Sequence, residues 1–530
     1  MTFNLIHDAW IPVRRQDETR AIIAPWQITE DYDHNPIIAL DAARADFDGA
    51  LIQFFIGLVQ TVIPPKDDRA WRAGLTNPPE VSVLKHAFDA VAFAFHLDGD
   101  GPRFMQDLTL AEGEKRGIGT LLIEAPGDNT LENNTDFFIK RGLVEQMCLS
   151  CAASALFTLQ TNAPSGGAGH RTSLRGGGPL TTLVLGDTVW QTIWLNVLSK
   201  GAFFASCCDP KKTSKSAIFP WLSQTRTSEK GTGQTTTPLD VHPAQMFWAM
   251  PRRIRIDFEQ ERRGTCGVCD DPSNRVVSHY VTKNYGTNYE GAWLHPLTPY
   301  TEVVGGPPNP RKGQPGGVHY RYWLGLVQVD DEEGRMPARV VKEFWERQVK
   351  WSDLHSIMRR GARLRAFAYD MENMKARCWY DATMPLFQIN KEVRSEYEAI
   401  VARMLRAAVV IAANVRKCVK KAMFKYPKRV KGDFSIVDVR FWQTTESAFY
   451  SLLEQCREQS STGGDLTPLK MEWVKTLARA GERIFNDLSQ NKQLEVAEPM
   501  RIAKAYQEMR RLNAPTNRKI REILDLPRST

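Results

Sequence analysis

A mixed α+β N-terminal domain followed by a C-terminal antiparallel helical bundle is the fold class that this sequence predicts, on three observations. The chain has 530 residues, too many for one hydrophobic core. Up to about Pro385, short apolar runs alternate with helical stretches and Gly/Pro-rich connections. Beyond that point the breakers thin out and apolar residues recur at helical spacing. The boundary is therefore placed between residues 1–385 and 386–530.

Taken in order, "NLIHDAWIPV" (Asn4–Val13) is an apolar run of strand length. "ALIQFFIGLVQTVIPP" (Ala50–Pro65) is short for a membrane span and carries Gln53 and Gln60, so it predicts a buried helix. No basic segment followed by an apolar core opens the chain, which predicts a cytoplasmic protein without membrane attachment. "TTLVLG" (Thr181–Gly186) reads as a strand. The breaker-rich segments "CCDPKKTSKS" and "SEKGTGQTTTP" read as surface excursions, and "GGPPNPRKGQPGG" (Gly305–Gly317) as lacking regular structure. In the bundle, Ile400, Met404, Ala408, Ile411, Val415 and Val419 fall on one helical stripe. "LKMEWVKTLARAGERIFNDL" and "EPMRIAKAYQEMRRL" repeat the pattern, with Pro499 in a first-turn position.

Three features carry candidate chemistry. The first is the glycine run "TNAPSGGAGHRTSLRGGGPLTT" (Thr161–Thr182), which matches neither the Walker nor the dinucleotide pattern but suits close approach to bare backbone. The second is a pair of C-x-x-C motifs, Cys148–Cys151 and Cys266–Cys269. Each pair supplies two thiolates to one side of a tetrahedral ion, which predicts a structural zinc site; the alternative is four buried thiols that never meet. The first pair is expected on a helix, where i and i+3 share a face. Nine cysteines in this length make no disulfide scaffold, and vicinal Cys207–Cys208 reads as packing.

The third feature is charge. The net charge is +8, and Val401–Gly432 holds ten Lys or Arg with no Asp or Glu. Arg416, Lys417, Lys420, Lys421 and Lys425 form a basic stripe suited to a phosphate backbone, unless it is only a solvated face. Enzyme signatures of the Walker A, H-E-x-x-H and G-x-S-x-G types are missing, Asp370, Glu372 and Asp381 lack ligand spacing, and His170 stands alone. A zinc-dependent nucleic-acid-processing enzyme such as a nuclease is the competing reading. Four cysteines would close the coordination sphere against it.

Six segments in order carry a likeness: "NLIHDAWIPV", "PPKDD" (Pro64–Asp68), "RFMQ" (Arg103–Gln106), "NAPSGGAGHRTSLRGG" (Asn162–Gly177), "WLHPLTP" (Trp293–Pro299) and "YDMENMKARCW" (Tyr369–Trp379). Together they resemble the CasA family, the large subunit of the type I-E CRISPR Cascade surveillance complex. The resemblance implies a non-catalytic subunit that reads the protospacer-adjacent motif in double-stranded DNA, promotes unwinding and R-loop formation, and docks the helicase-nuclease. Its partners would be the crRNA, the other Cascade subunits, target duplex and displaced strand. It implies that Gly166, Gly167 and Gly169 face the minor groove, interrupted here by Ser165 and Ala168. Lys283 would assist motif reading. Asn373 would act as a wedge where relatives often carry glutamine, with Met374 or Lys375 sharing that role. Phe137, Phe138 and Lys140 would touch the crRNA-bearing backbone of the complex, and the basic bundle face would hold the displaced strand.

Overall fold

The apolar window near the N-terminus folds as its composition predicts: Ala45–Val62 is a helix, buried along nearly its whole length. Its two glutamines are tolerated inside because both are bonded. Gln60 Oε1 accepts from Leu198 N–H at 2.7 Å, and Gln53 Nε2 donates to the Gly49 carbonyl at 2.8 Å. The structure is a computed structural model, described for residues 2–527 except 135–140, 168, 206, 314–315, 352, 359–360, 373–374, 388, 390 and 490–497. The chain divides into two units.

The first unit comprises residues 1–313, 338–345 and 356–381. Its core is aromatic. Phe54 meets Trp10, Phe95, Phe104, Phe157 and Trp248 edge-on at centroid distances of 5.5–6.1 Å, the arrangement that ring quadrupoles favour. The unit also holds small sheets. One orders Arg262–Thr265, Pro272–Val277 and Met147–Cys148; another orders Glu114–Gly117, His279–Lys283 and Arg253–Asp257. The predicted strand at Thr181 spans Thr181–Leu185 and pairs antiparallel with Arg363–Glu372, Thr181 opposite Phe367. The breaker-rich stretch after Gly305 departs from expectation in one place: Asn309–Pro310 pairs with Tyr300–Thr301.

The second unit comprises residues 314–337, 346–355 and 382–530. Its helices are Arg394–Met423, Ser435–Thr462, Thr467–Ser489, Pro499–Asn513 and Arg518–Leu524. All six stripe positions named above are buried. Gly463, left-handed at φ 69°, ends the second of these helices before the short turn into the third. Gly481 lets two helices approach, since a Cβ there would lie 2.7 Å from Val415. The core also takes in a residue from outside the helices: Tyr320 stacks on Phe449 at 4.3 Å, and its hydroxyl lies 2.7 Å from Thr445 Oγ1.

Candidate metal centre and nucleic-acid faces

The cysteine pairs, far apart in sequence, meet. Cys148 closes the short strand Met147–Cys148 and caps the helix Leu149–Asn162, its sulfur accepting from Cys151 N–H at 3.4 Å. It therefore stands at the helix start rather than within it, and Cys151 follows in the first turn. Cys266 and Cys269 sit on a tight turn where Val268 N–H points at Cys266 Sγ at 3.4 Å. Gly267 keeps this turn close to the neighbouring chain, since a Cβ would come to 3.1 Å from the Leu143 carbonyl oxygen. Strand pairing of Val276 with Cys148 joins the two halves. The four sulfurs lie within 4.8 Å of one another, and Cys148 and Cys269 are 4.0 Å apart. Tetrahedral zinc with bonds of about 2.3 Å needs sulfurs about 3.8 Å apart, so the donor set fits a thiophilic ion with little movement. Hydrogen bonds from the Cys148 and Cys151 thiols hold Cys266 well below the usual thiol range, while burial pushes Cys269 up to about 12. A bound cation would draw the protons from all four thiols.

Two other predicted features meet the glycine run. The stem is closed by Ser173 N–H to the Ala163 carbonyl at 3.0 Å and Gly178 N–H to Asn162 at 3.1 Å. Gly169, at φ +80°, accepts from Tyr285 N–H at 2.8 Å, and a Cβ there would press on Asn284 and Tyr285 at 3.0 Å. The loop thus lies against the turn that follows the strand His279–Lys283, whose last residue, Lys283, is exposed. Gly178, at φ +57°, lies against Tyr369 and Met371 of the strand Arg363–Glu372, which leads to the hairpin tip. Lys375 opens the returning strand and is exposed. Gly167 differs from its neighbours: its φ is +62°, it is exposed, and a Cβ would meet nothing within 4 Å. Gly166 has ordinary φ, with His170 the nearest obstacle at 3.4 Å. Phe137, Phe138, Lys140, Asn373 and Met374 lie outside the described residues.

Sequence reasoning passed over the residues that hold this loop. Arg252 Nη2 donates to the Pro164 carbonyl, and burial pushes this guanidinium down to about 10, which leaves it cationic at neutral pH. Arg171 Nε donates to Ser228 Oγ at 2.7 Å. Neither falls on a periodic pattern, so no sequence signal marks them. The acidic residues near the hairpin are engaged in pairs. Arg377 bridges Asp370 and Glu372, each at 2.8 Å, and Arg365 pairs with Asp381 at 2.5 Å.

The basic helix is less bare than its sequence. Glu508, from the helix Pro499–Asn513, lies 3.1 Å from Lys417 and 2.6 Å from Lys421, and Asp438 pairs with Arg416. The Lys421 ammonium, then that of Lys417, holds the Glu508 carboxyl below its ordinary range. Lys420 donates to the Val430 carbonyl at 2.8 Å and lies over the Phe434 ring. Lys425 is exposed and has no carboxylate partner among the described residues. An open groove of about 370 Å³ adjoins it, lined by Lys421, Lys425, Arg501 and Lys504 together with Glu498 and Glu508. Arg501 and Lys504, from the helix Pro499–Asn513, were not singled out in the sequence, where they lie far from Lys425.

The family model for CRISPR-associated protein Cse1 matches residues 4–484. Among solved structures, CasA of Thermus thermophilus superposes with a TM-score of 0.70 at 16% identity, over 97% of this chain and 99% of that one. Cse1 of Thermobifida fusca gives 0.68 at 15% identity over 99% and 98%. A chain of a CRISPR RNA-guided surveillance complex gives 0.67 at 15% identity over 96% and 99%. At such identities the superpositions speak for the fold, which is mixed α and β with C-terminal helices.

Proposed function

This chain belongs to the CRISPR-associated Cse1 family, and from that membership we propose that it is the large, non-catalytic subunit of a Cascade-type RNA-guided surveillance complex. In this reading it assembles with crRNA and the smaller subunits, reads the protospacer-adjacent motif in duplex DNA, starts strand separation and docks the helicase-nuclease. The observation that carries the reading is the convergence of the glycine loop, the Lys283 turn and the hairpin that leads to Asn373. The loop offers backbone without side chains, which a narrow minor groove accepts, and the degenerate pattern of that groove makes the reader tolerant of several motifs. Lys283 and the half-buried Arg252 add positive potential beside it. Phe137, Phe138 and Lys140 are assigned to the crRNA-bearing backbone. The basic helix with Arg416, Lys417, Lys420, Lys421 and Lys425 is assigned to the displaced strand.

The four cysteines are assigned to structural zinc: four thiolates fill a tetrahedron and leave no open position for water. That closure, and the arginine pairing of Asp370, Glu372 and Asp381, weighs against a metal-dependent nuclease. Binding by the assembled complex to duplexes that differ only in the flanking motif tests the reading. Gly167→Asp should weaken motif-dependent duplex binding; unchanged binding would remove the loop from motif recognition.

A further inference from the structure

Beneath the stem of the glycine loop, Arg175 is 3% exposed, yet it makes no ion pair among the described residues. Its hydrogen bonds all go to neutral oxygens: Thr181 Oγ1 at 3.0 Å, Thr298 Oγ1 at 3.1 Å and Gln53 Oε1 at 2.5 Å. A buried guanidinium without a counter-charge is costly, because neutral acceptors recover only part of its lost hydration. The nearest titratable side chains offer no remedy. Tyr300 is held in its neutral form by burial, and His295 is held neutral by burial and by the Arg175 charge itself.

A cavity of about 20 Å³ adjoins this guanidinium, and its walls include Gln53, Gln160, Thr161, Ser173, Arg175 and His295. A single water needs about 10–15 Å³ by the same measure, so the space admits one small particle. The Gln53 and Gln160 amide nitrogens already donate to backbone carbonyls and much of the remaining wall is apolar, so the donors the wall can offer come chiefly from Arg175 and His295. His295 Nδ1 accepts from Leu297 N–H at 3.2 Å, which leaves the ring proton on Nε2. The amide oxygens of Gln53 and Gln160 are already taken, by Arg175 and by Arg252 N–H respectively. The Ser173 hydroxyl proton goes to the Gly176 carbonyl. We propose that this cavity is a binding site for a small inorganic anion of halide size, chloride being the abundant case, held by Arg175 and the Nε2–H of His295. Thr161 and Ser173 stand at the two feet of the glycine loop, so the bound ion would also brace the loop's stem.

Crystals of the whole chain grown with bromide in place of chloride, measured at the bromine absorption edge, test this directly. An anomalous peak in the cavity between Arg175 and His295 is the expected result; a cavity with water density and no such peak overturns the proposal. In solution, thermal unfolding at fixed ionic strength should show a higher midpoint in chloride than in gluconate, and Arg175→Met should lose that increment. A chloride increment that survives in Arg175→Met would also overturn it. Should that variant fail to fold, the bromide measurement on the unsubstituted protein decides alone.

Discussion

Both the glycine loop and the basic helix stand out in the sequence by composition, and folding treats them in opposite ways. The loop keeps what its composition offers. Gly167 remains exposed with open space around it, while Gly169 and Gly178 let the Lys283 turn and the hairpin strand pack closely. The helix surrenders much of what its composition offers, since Glu508 and Asp438 arrive from other helices to meet Lys417, Lys421 and Arg416. Backbone conformation is a local property and survives folding. Charge is a property of a surface, and a surface is assembled from segments distant in sequence.

The largest effect is expected where neither region is touched. Cys266→Ser removes one of four ligands and should cost about 4 kcal/mol, at the upper end for single substitutions. Metal content and denaturant unfolding should fall together; folded protein that never held metal would refute the zinc assignment.

The next comparison lies within the loop. Gly167→Asp places a charge where there is room, and aspartate visits the left-handed region more readily than most residues. It should weaken motif-dependent duplex binding at least about tenfold, about 1.4 kcal/mol, with little change in unfolding midpoint. Gly169→Ala should instead lower the midpoint, because its Cβ would sit 3.0 Å from Asn284 and Tyr285. If the two variants behave alike in both assays, the loop serves packing only.

The helix gives the smallest effects. Replacing Lys417, Lys420, Lys421 and Lys425 by alanine should flatten the log–log salt slope for single strands by at most roughly three units, at about 0.7 per contact. The ion pairs sharpen that estimate. Lys420 and Lys425, which lack carboxylate partners among the described residues, should account for about 1.4 of it. Glu508→Gln should steepen the slope by releasing Lys417 and Lys421. Surface pairs of this kind are weak enough for phosphate to displace. A slope that Glu508→Gln leaves unchanged would mean that this face does not meet nucleic acid.

Legibility in the sequence followed the same division. The buried helix at Ala45, the strand at Thr181 and the bundle stripe from Ile400 to Val419 rest on periodicity, which is local, and each is present. The cysteine pairs were legible because each half of the site carries its own spacing. Cys148 proved to be a helix cap because Met147 and Cys148 pair with Val277 and Val276, a contact that no local pattern announces. Arg252 beneath the loop, Tyr320 in the bundle core and Glu508 beside the lysines were hidden for that reason too: each acts across a long stretch of chain.

The central claim is that this chain supplies motif recognition to an RNA-guided complex. It is tested most directly by equilibrium binding of the reconstituted complex to two duplexes identical except for the flanking motif, with the chain present and omitted. The account predicts a clear preference for one duplex when the chain is present and none when it is omitted. A preference of equal size in both preparations would contradict it.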